Sequence, residues 1–138
     1  MIEIEDAGAL DPRVRALATG RNFGVISTLT ADGHPRTHVM WVDADEDHLL
    51  INTEVHRAKY RDVLRDPRVT VTVWDAENPY RFAEVRGRVV ERITGPLARM
   101  HIDACAQRYL GRDYPSTIVS ERVLLRIAPE HVHLNGID

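Results

Sequence analysis

An arginine and a lysine two residues apart, Arg57 and Lys59, stand where a short helical stretch is expected to begin, within about Val55 to Arg65. The first turn of a helix carries unpaired backbone N–H groups and the positive end of the peptide dipole, so an anion, above all a phosphate, is well placed there. Side chains two residues apart on a regular helix point roughly 200° apart, at about 3.6 residues per turn. The pair can therefore share one phosphate only if Arg57 still belongs to the loop before the helix. A solvated basic surface is the competing reading, because Arg57, Arg61 and Arg65 form an i, i+4 stripe. Lys59 is the only lysine in the chain, the rest of the basic charge being arginine.

Other groupings of reactive side chains are weaker. Asp43, Asp45, Asp47 and Glu54 match the ligand spacing of a calcium-binding loop. His48, however, occupies the position where that loop turns sharply on glycine, and a strand pattern stands in place of the entering helix. An acidic hairpin turn is the expectation, with no calcium site. His131 and His133 face the same way on a strand but lack a third ligand nearby, and His101 and Cys105 form a two-ligand i, i+4 pair on a helix. His34 and His38 flank a hairpin and are placed to line a pocket, with no nucleophile beside them. No nucleophile elbow, P-loop or dinucleotide fingerprint is present. No catalytic residue is assigned and no metal site is expected; an enzyme of this kind leaves the reaction to a cofactor.

The elements that must position these groups are read from periodicity. Asp11-Pro12 starts a helix that Gly20 ends, as an N-cap residue followed by proline at the first helical position. Strands are expected over Phe23 to Thr30, Arg36 to Val42, His48 to Thr53, Arg68 to Trp74, Phe82 to Ile93 and Arg122 to Ile127. Asp32-Gly33 is a hairpin turn, Glu77-Asn78-Pro79 another, and Asp66-Pro67 stops the central helix. Thr94-Gly95-Pro96 opens a helix that runs to Leu110 and closes at Gly111. On the long strand Ala83, Val85, Gly87, Val89 and Ile93 are expected on one face, with Gly87 at a bulge or a close approach of another backbone. At 138 residues this is one domain, residues 1–138, able to bury a core without staples. A net charge of −3 argues against nucleic acid. One cysteine and no signal peptide or apolar span fit a reducing, cytoplasmic setting without a membrane helix.

Several runs together resemble a known family. They are Thr53-x-x-x-Arg57-x-Lys59, Leu64-x-x-Pro67-x-Val69 leading to Trp74, Asn78-Pro79-Tyr80 before Glu84 to Val89, and Arg108 to Gly111 before Tyr114-Pro115. The chain is similar to the split β-barrel flavin and deazaflavin oxidoreductases, the superfamily of pyridoxamine 5′-phosphate oxidase. It looks most like the actinobacterial branch that uses coenzyme F-420, an 8-hydroxy-5-deazaflavin. The resemblance implies a mainly β (α+β) fold, a six-stranded antiparallel split β-barrel with a few peripheral helices. It implies a homodimer with the cofactor at the subunit interface, the cofactor phosphate on Asn52, Thr53, Arg57 and Lys59, and the ring system along Thr37, His38, Val39 and Trp41. His38 and Tyr80 are candidate polar groups of the pocket. The expected activity is hydride transfer between the reduced deazaflavin and a small organic acceptor. The alternatives are an FMN-dependent oxidoreductase using the same site, or a non-catalytic flavin or deazaflavin carrier. The chain lacks the Arg…Leu-Leu-Lys strand and the C-terminal substrate segment of the pyridoxamine phosphate oxidases proper, so pyridoxamine phosphate is not the expected substrate.

Overall fold

The computed structural model describes residues 2–5 and 8–138, the side chain of Glu5 excepted. In chain order the elements are β1 (Ile2–Glu5), α1 (Pro12–Thr19), β2 (Phe23–Leu29), β3 (Pro35–Met40), β4 (Asp43–Ala44), β5 (Leu49–Glu54), α2 (Ala58–Arg65), β6 (Arg68–Asp75), β7 (Asn78–Thr94), α3 (Pro96–Leu110) and β8 (Arg122–Asn135). The strands form one curled antiparallel sheet in the order β3-β2-β6-β7-β8-β5-β4, with β1 added against β8. This is the mainly β split barrel expected, with three helices on its outside. Two strands exceed the expected six: the short β4 and the N-terminal β1. Both are too brief to show a period of their own and exist through their pairing to β5 and β8.

Local chemistry accounts for most boundaries. Asp11 accepts from the Arg13 amide at 2.8 Å, capping α1 behind Pro12. Gly33, at φ +82°, turns the β2–β3 hairpin. Asp66 is extended at φ −139°, ψ 112°, because Pro67 follows, and α2 stops there. The acidic stretch is a turn between β4 and β5, in which Asp45 accepts from the amides of Asp47 and His48. Glu54 lies away from it, buried against Ser120.

Two expectations need correction. The turn before β7 is only two residues, so Asn78 already pairs with Asp75 and Pro79 lies inside the strand, exposed. β8 also runs on through Pro129 to Asn135. Proline is tolerated there because the register shifts between Arg86 and Gly87, leaving Glu130 as the extra residue. A Cβ on Gly87 would lie 2.1 Å from the Ala128 carbonyl oxygen, so the close backbone expected at Gly87 is the chain's own β8.

A second shift between Val89 and Glu91 turns the end of β7 over. Val89 faces the barrel core, whereas Ile93 packs on a separate cluster of Leu50, Ala98 and Leu124 beneath α3. Ile93 therefore does not share a face with Val89, because the bulge inserts one residue into the alternation. β5 is buried along its whole length for the same architectural reason. Leu49 and Ile51 fill the barrel, while Leu50, Asn52 and Glu54 face α3 and the segment before β8.

Candidate functional site

β5, α2 and β8 meet at one place, and their polar ends line a cavity of about 550 Å³. α2 begins later than its pattern suggested. The Arg57 amide donates to the Glu54 carbonyl at 3.0 Å in a turn, and Arg57 is the N-cap with extended φ −70°, ψ 146°. Arg57 thus lies outside the regular helix while Lys59 lies in its first turn, which is the condition for both to serve one anion. Both line the cavity with Asn52, Thr53 and Ala58, and Arg122 at the start of β8 adds a third cation. Among the described residues no carboxylate lines the cavity. Among the described residues Arg57 and Lys59 make no ion pair.

Asp62 holds α2 in place from behind. Its buried carboxylate accepts from Thr28 Oγ1 at 2.7 Å and Arg36 Nε at 2.8 Å, and from Arg65 at 3.0 Å. Burial alone would raise its pKa, but those three donors lower it below the usual carboxylate value. At the other end of the helix the pKa also falls, but for a lysine that disfavours the charged form. Burial, and then repulsion from Arg57 and Arg122, lowers the pKa of Lys59. An anion in the cavity would relieve that repulsion.

The remaining walls are apolar and aromatic. Val39, Met40 and Trp41 come from β3 and its end, Ile102 and Cys105 from α3, and Tyr114 from the loop after α3. Trp41 stacks on Tyr109 at 5.0 Å between ring centroids and meets Tyr114 edge-on at 6.2 Å, which fixes its plane. His38 also lines the cavity, and its buried Nδ1 has no hydrogen-bond partner among the described residues. Burial first, then Lys59, Arg36 and Arg57, lower its pKa, so the ring is neutral at neutral pH.

Seven of the nine sequence-derived residues therefore line one cavity: Asn52, Thr53, Arg57, Lys59, His38, Val39 and Trp41. Thr37 and Tyr80 are not in its wall. The Thr37 hydroxyl lies 2.9 Å from that of Ser27, and Tyr80 is 78 % exposed at the start of β7. Tyr114, Arg122 and Cys105 were not foreseen as site residues. Tyr114 and Cys105 stood in noticed patterns without a role. Arg122 read only as a strand's first residue, and nothing local marks it as more.

The i, i+4 pair on α3 is explained by a polar chain behind the cavity. Asp43, His101 and Cys105 bring potential ligand atoms within 4.8 Å of one another. A metal at His101 Nε2 would require the proton on Nδ1. Asn52 opposes this: its Nδ2 lies 2.9 Å from the Ala98 carbonyl and 3.1 Å from His101 Nδ1, so an amide N–H points at that nitrogen. Arg108 also lies 3.2 Å from Asp43 and 3.9 Å from the Cys105 sulfur, occupying the cation's place. The donor set does not fit a metal. Burial disfavours a second proton on His101, whereas Asp43, aided by Cys105, favours one. That proton enters only if Asn52 yields, and Arg122 and Ala98 hold Asn52 in place. The seated Asn52 keeps the ring neutral, with Nε2 donating to Asp43 at 2.9 Å.

A split barrel whose cavity sets cations beside an aromatic wall is the frame of a flavin- or deazaflavin-binding oxidoreductase. The chain belongs to the pyridoxamine 5′-phosphate oxidase family, whose model matches residues 10–136. Among solved structures it is similar to an F-420 reductase, at 28% identity and TM-score 0.77, over 90% of this chain and 98% of that one. A conserved hypothetical protein from Mycobacterium tuberculosis matches at 20% identity and TM-score 0.71, over 94% and 87% of the two chains. An FAD-binding protein from Mesorhizobium loti matches at 20% identity and TM-score 0.62, over 96% of each. The latter two likenesses show the fold alone. No helix among the described residues is long and apolar enough to cross a membrane.

Proposed function

We propose that the protein is an oxidoreductase that uses coenzyme F-420 and passes a hydride between the reduced deazaflavin and a small organic acceptor. The observation that carries this is the pair Arg57 and Lys59, two cations without a carboxylate partner among the described residues, at a helix start that opens on a cavity of about 550 Å³. That is ample for a small-molecule site, which typically spans roughly 300–1,000 Å³. The likeness to an F-420 reductase supports the deazaflavin over FMN. When bound, the cofactor supplies the hydride. The chain's own residues do the rest: Arg57, Lys59 and Thr53 hold the phosphate, and Trp41, fixed by Tyr109 and Tyr114, bounds the ring system. The apolar wall excludes water. His38 forms part of the same wall beside the cations.

In this reading the site is completed at the interface of a cytoplasmic homodimer. Val39, in the cavity wall, is 69 % exposed in the single chain, and a second subunit would cover it. Mass spectrometry of the small molecule that co-purifies, with fluorescence titrations of F-420 and FMN, tests the cofactor. Tight F-420 binding with hydride turnover is the expected result. Bound FMN would shift the reading to a flavin enzyme, and binding without turnover on any acceptor to a carrier. Sedimentation at micromolar concentration is expected to show a dimer, and a stable monomer would remove the interface.

A further inference from the structure

We infer that Arg122 is a third ligand of the cofactor's phosphate, and that Asn52, expected to touch that phosphate itself, acts instead by aiming Arg122. This rests on the phosphate reading above and adds to it the group that closes on the anion from the sheet side.

Both donors of the Asn52 amide are already used. Nδ2 serves the Ala98 carbonyl at 2.9 Å and His101 Nδ1 at 3.1 Å, and Oδ1 accepts from Arg122 Nε at 2.8 Å. A primary amide has two N–H groups, so none is left for an oxyanion. Its oxygen would repel one. What Asn52 does offer is a fixed Nε contact that sets the plane of the Arg122 guanidinium.

Arg122 has the opposite profile. It is 9 % exposed and lines the cavity. The Tyr114 ring stands 5.1 Å from its guanidinium carbon, holding one face. Its nearest carboxylate, Glu54, stays 3.9 Å from Nη1, beyond hydrogen-bond reach, and that carboxylate is itself engaged by the Ser120 amide at 2.8 Å. The Arg122 side chain is also hydrogen-bonded with that of Tyr114. Arg122 thus joins Arg57 and Lys59 in the cavity wall with no carboxylate, among the described residues, inside hydrogen-bond reach of its Nη atoms. Arg57, Lys59 and Arg122 line one cavity; burial first, then Arg57 and Arg122, lower the pKa of Lys59, so one anion can serve all three. The planar fork of arginine suits phosphate in a way that an ammonium does not.

The test compares ligands that differ in phosphate. Titrate F-420 against its phosphate-free 8-hydroxy-5-deazaflavin riboside, and FMN against riboflavin, with wild type, Arg122→Gln, Asn52→Leu and Lys59→Ala. For whichever pair binds, Arg122→Gln is expected to cut the preference for the phosphate-bearing member about tenfold or more, with the phosphate-free member unaffected. Asn52→Leu should lower the same preference by less, again sparing the phosphate-free member; a merely structural role would weaken both members alike. An unchanged preference in Arg122→Gln, alongside a collapse in Lys59→Ala, overturns the role of Arg122 and leaves the phosphate reading standing. No preference in the wild type, or no binding by either phosphate-bearing member, overturns both. Should Arg122→Gln not fold, the side-chain ¹⁵N resonances of Arg122 in the wild type decide. They should shift with the phosphate-bearing member only, and an absent shift overturns the inference.

Discussion

The two ends of α2 carry the same kinds of side chain and treat them in opposite ways. At the C-terminal end Arg36 and Arg65 converge on the buried Asp62, with Thr28 supplying the remaining hydrogen bond. Every charge there has its counter-charge, and the result is a fixed helix. At the N-terminal end Arg57 and Lys59 have no counter-charge among the described residues, and Arg122 crowds them further. The first arrangement stabilises a fold; the second leaves cations free to take the anion proposed above. Paired and unpaired arginines thus separate structure from site in a chain where arginine alone says little.

The sharpest attack on this contrast is at Lys59. Lys59→Ala should weaken cofactor binding roughly 10- to 150-fold, the worth of a charge-assisted hydrogen bond of about 1.5–3 kcal/mol. Its melting temperature should stay close to that of the wild type, because alanine is a good helix former and the change also removes the repulsion from Arg57 and Arg122. Raised salt should weaken the wild type more than the variant. Equal affinity in both proteins would make Lys59 a surface charge. Asp62→Asn should do the reverse and destabilise the fold by about 1–2 kcal/mol in urea titrations near neutral pH. The folded pKa of Asp62 lies below its ordinary value, so its contribution is present above that value and fades as pH falls through the folded one. The gap between wild type and Asp62→Asn should therefore close in acid, and a constant gap would show that the charge is not what matters. Smallest is Arg65→Ala, at about 0.2–1 kcal/mol, since its side chain is 44 % exposed and Arg36 still serves Asp62. A larger loss would mean that the cluster acts as one unit.

Much of this was legible in the chain. Val69, Val71 and Val73 alternate and are buried as expected, and the turn at Gly33 and the stop at Pro67 follow from single-residue chemistry. Lys59 stood out by its rarity, and seven of the residues named from the family resemblance line one cavity. What stayed hidden depends on pairing at a distance. The extra residue between Val89 and Glu91 that sends Ile93 to another face is defined only against β8. Arg122 gains its meaning from Asn52, 70 positions away. Asn52 was expected on the anion through the family resemblance, and only its neighbours show where its two donors are directed.

β8 has a further consequence, for the order in which the molecule can assemble. It lies between β7 on one side and both β5 and β1 on the other, yet it follows all of them in the chain. Until it inserts, β5 has only the two-residue β4 beside it, and the inner face of β7 lacks Leu125, Ile127, Val132 and Leu134. A nascent chain leaving the ribosome would carry these open edges until its last strand emerged. Such non-local closure is slow and leaves sticky strands uncovered meanwhile. Because Arg122 begins that strand, the anion site and the barrel would be completed in the same late step.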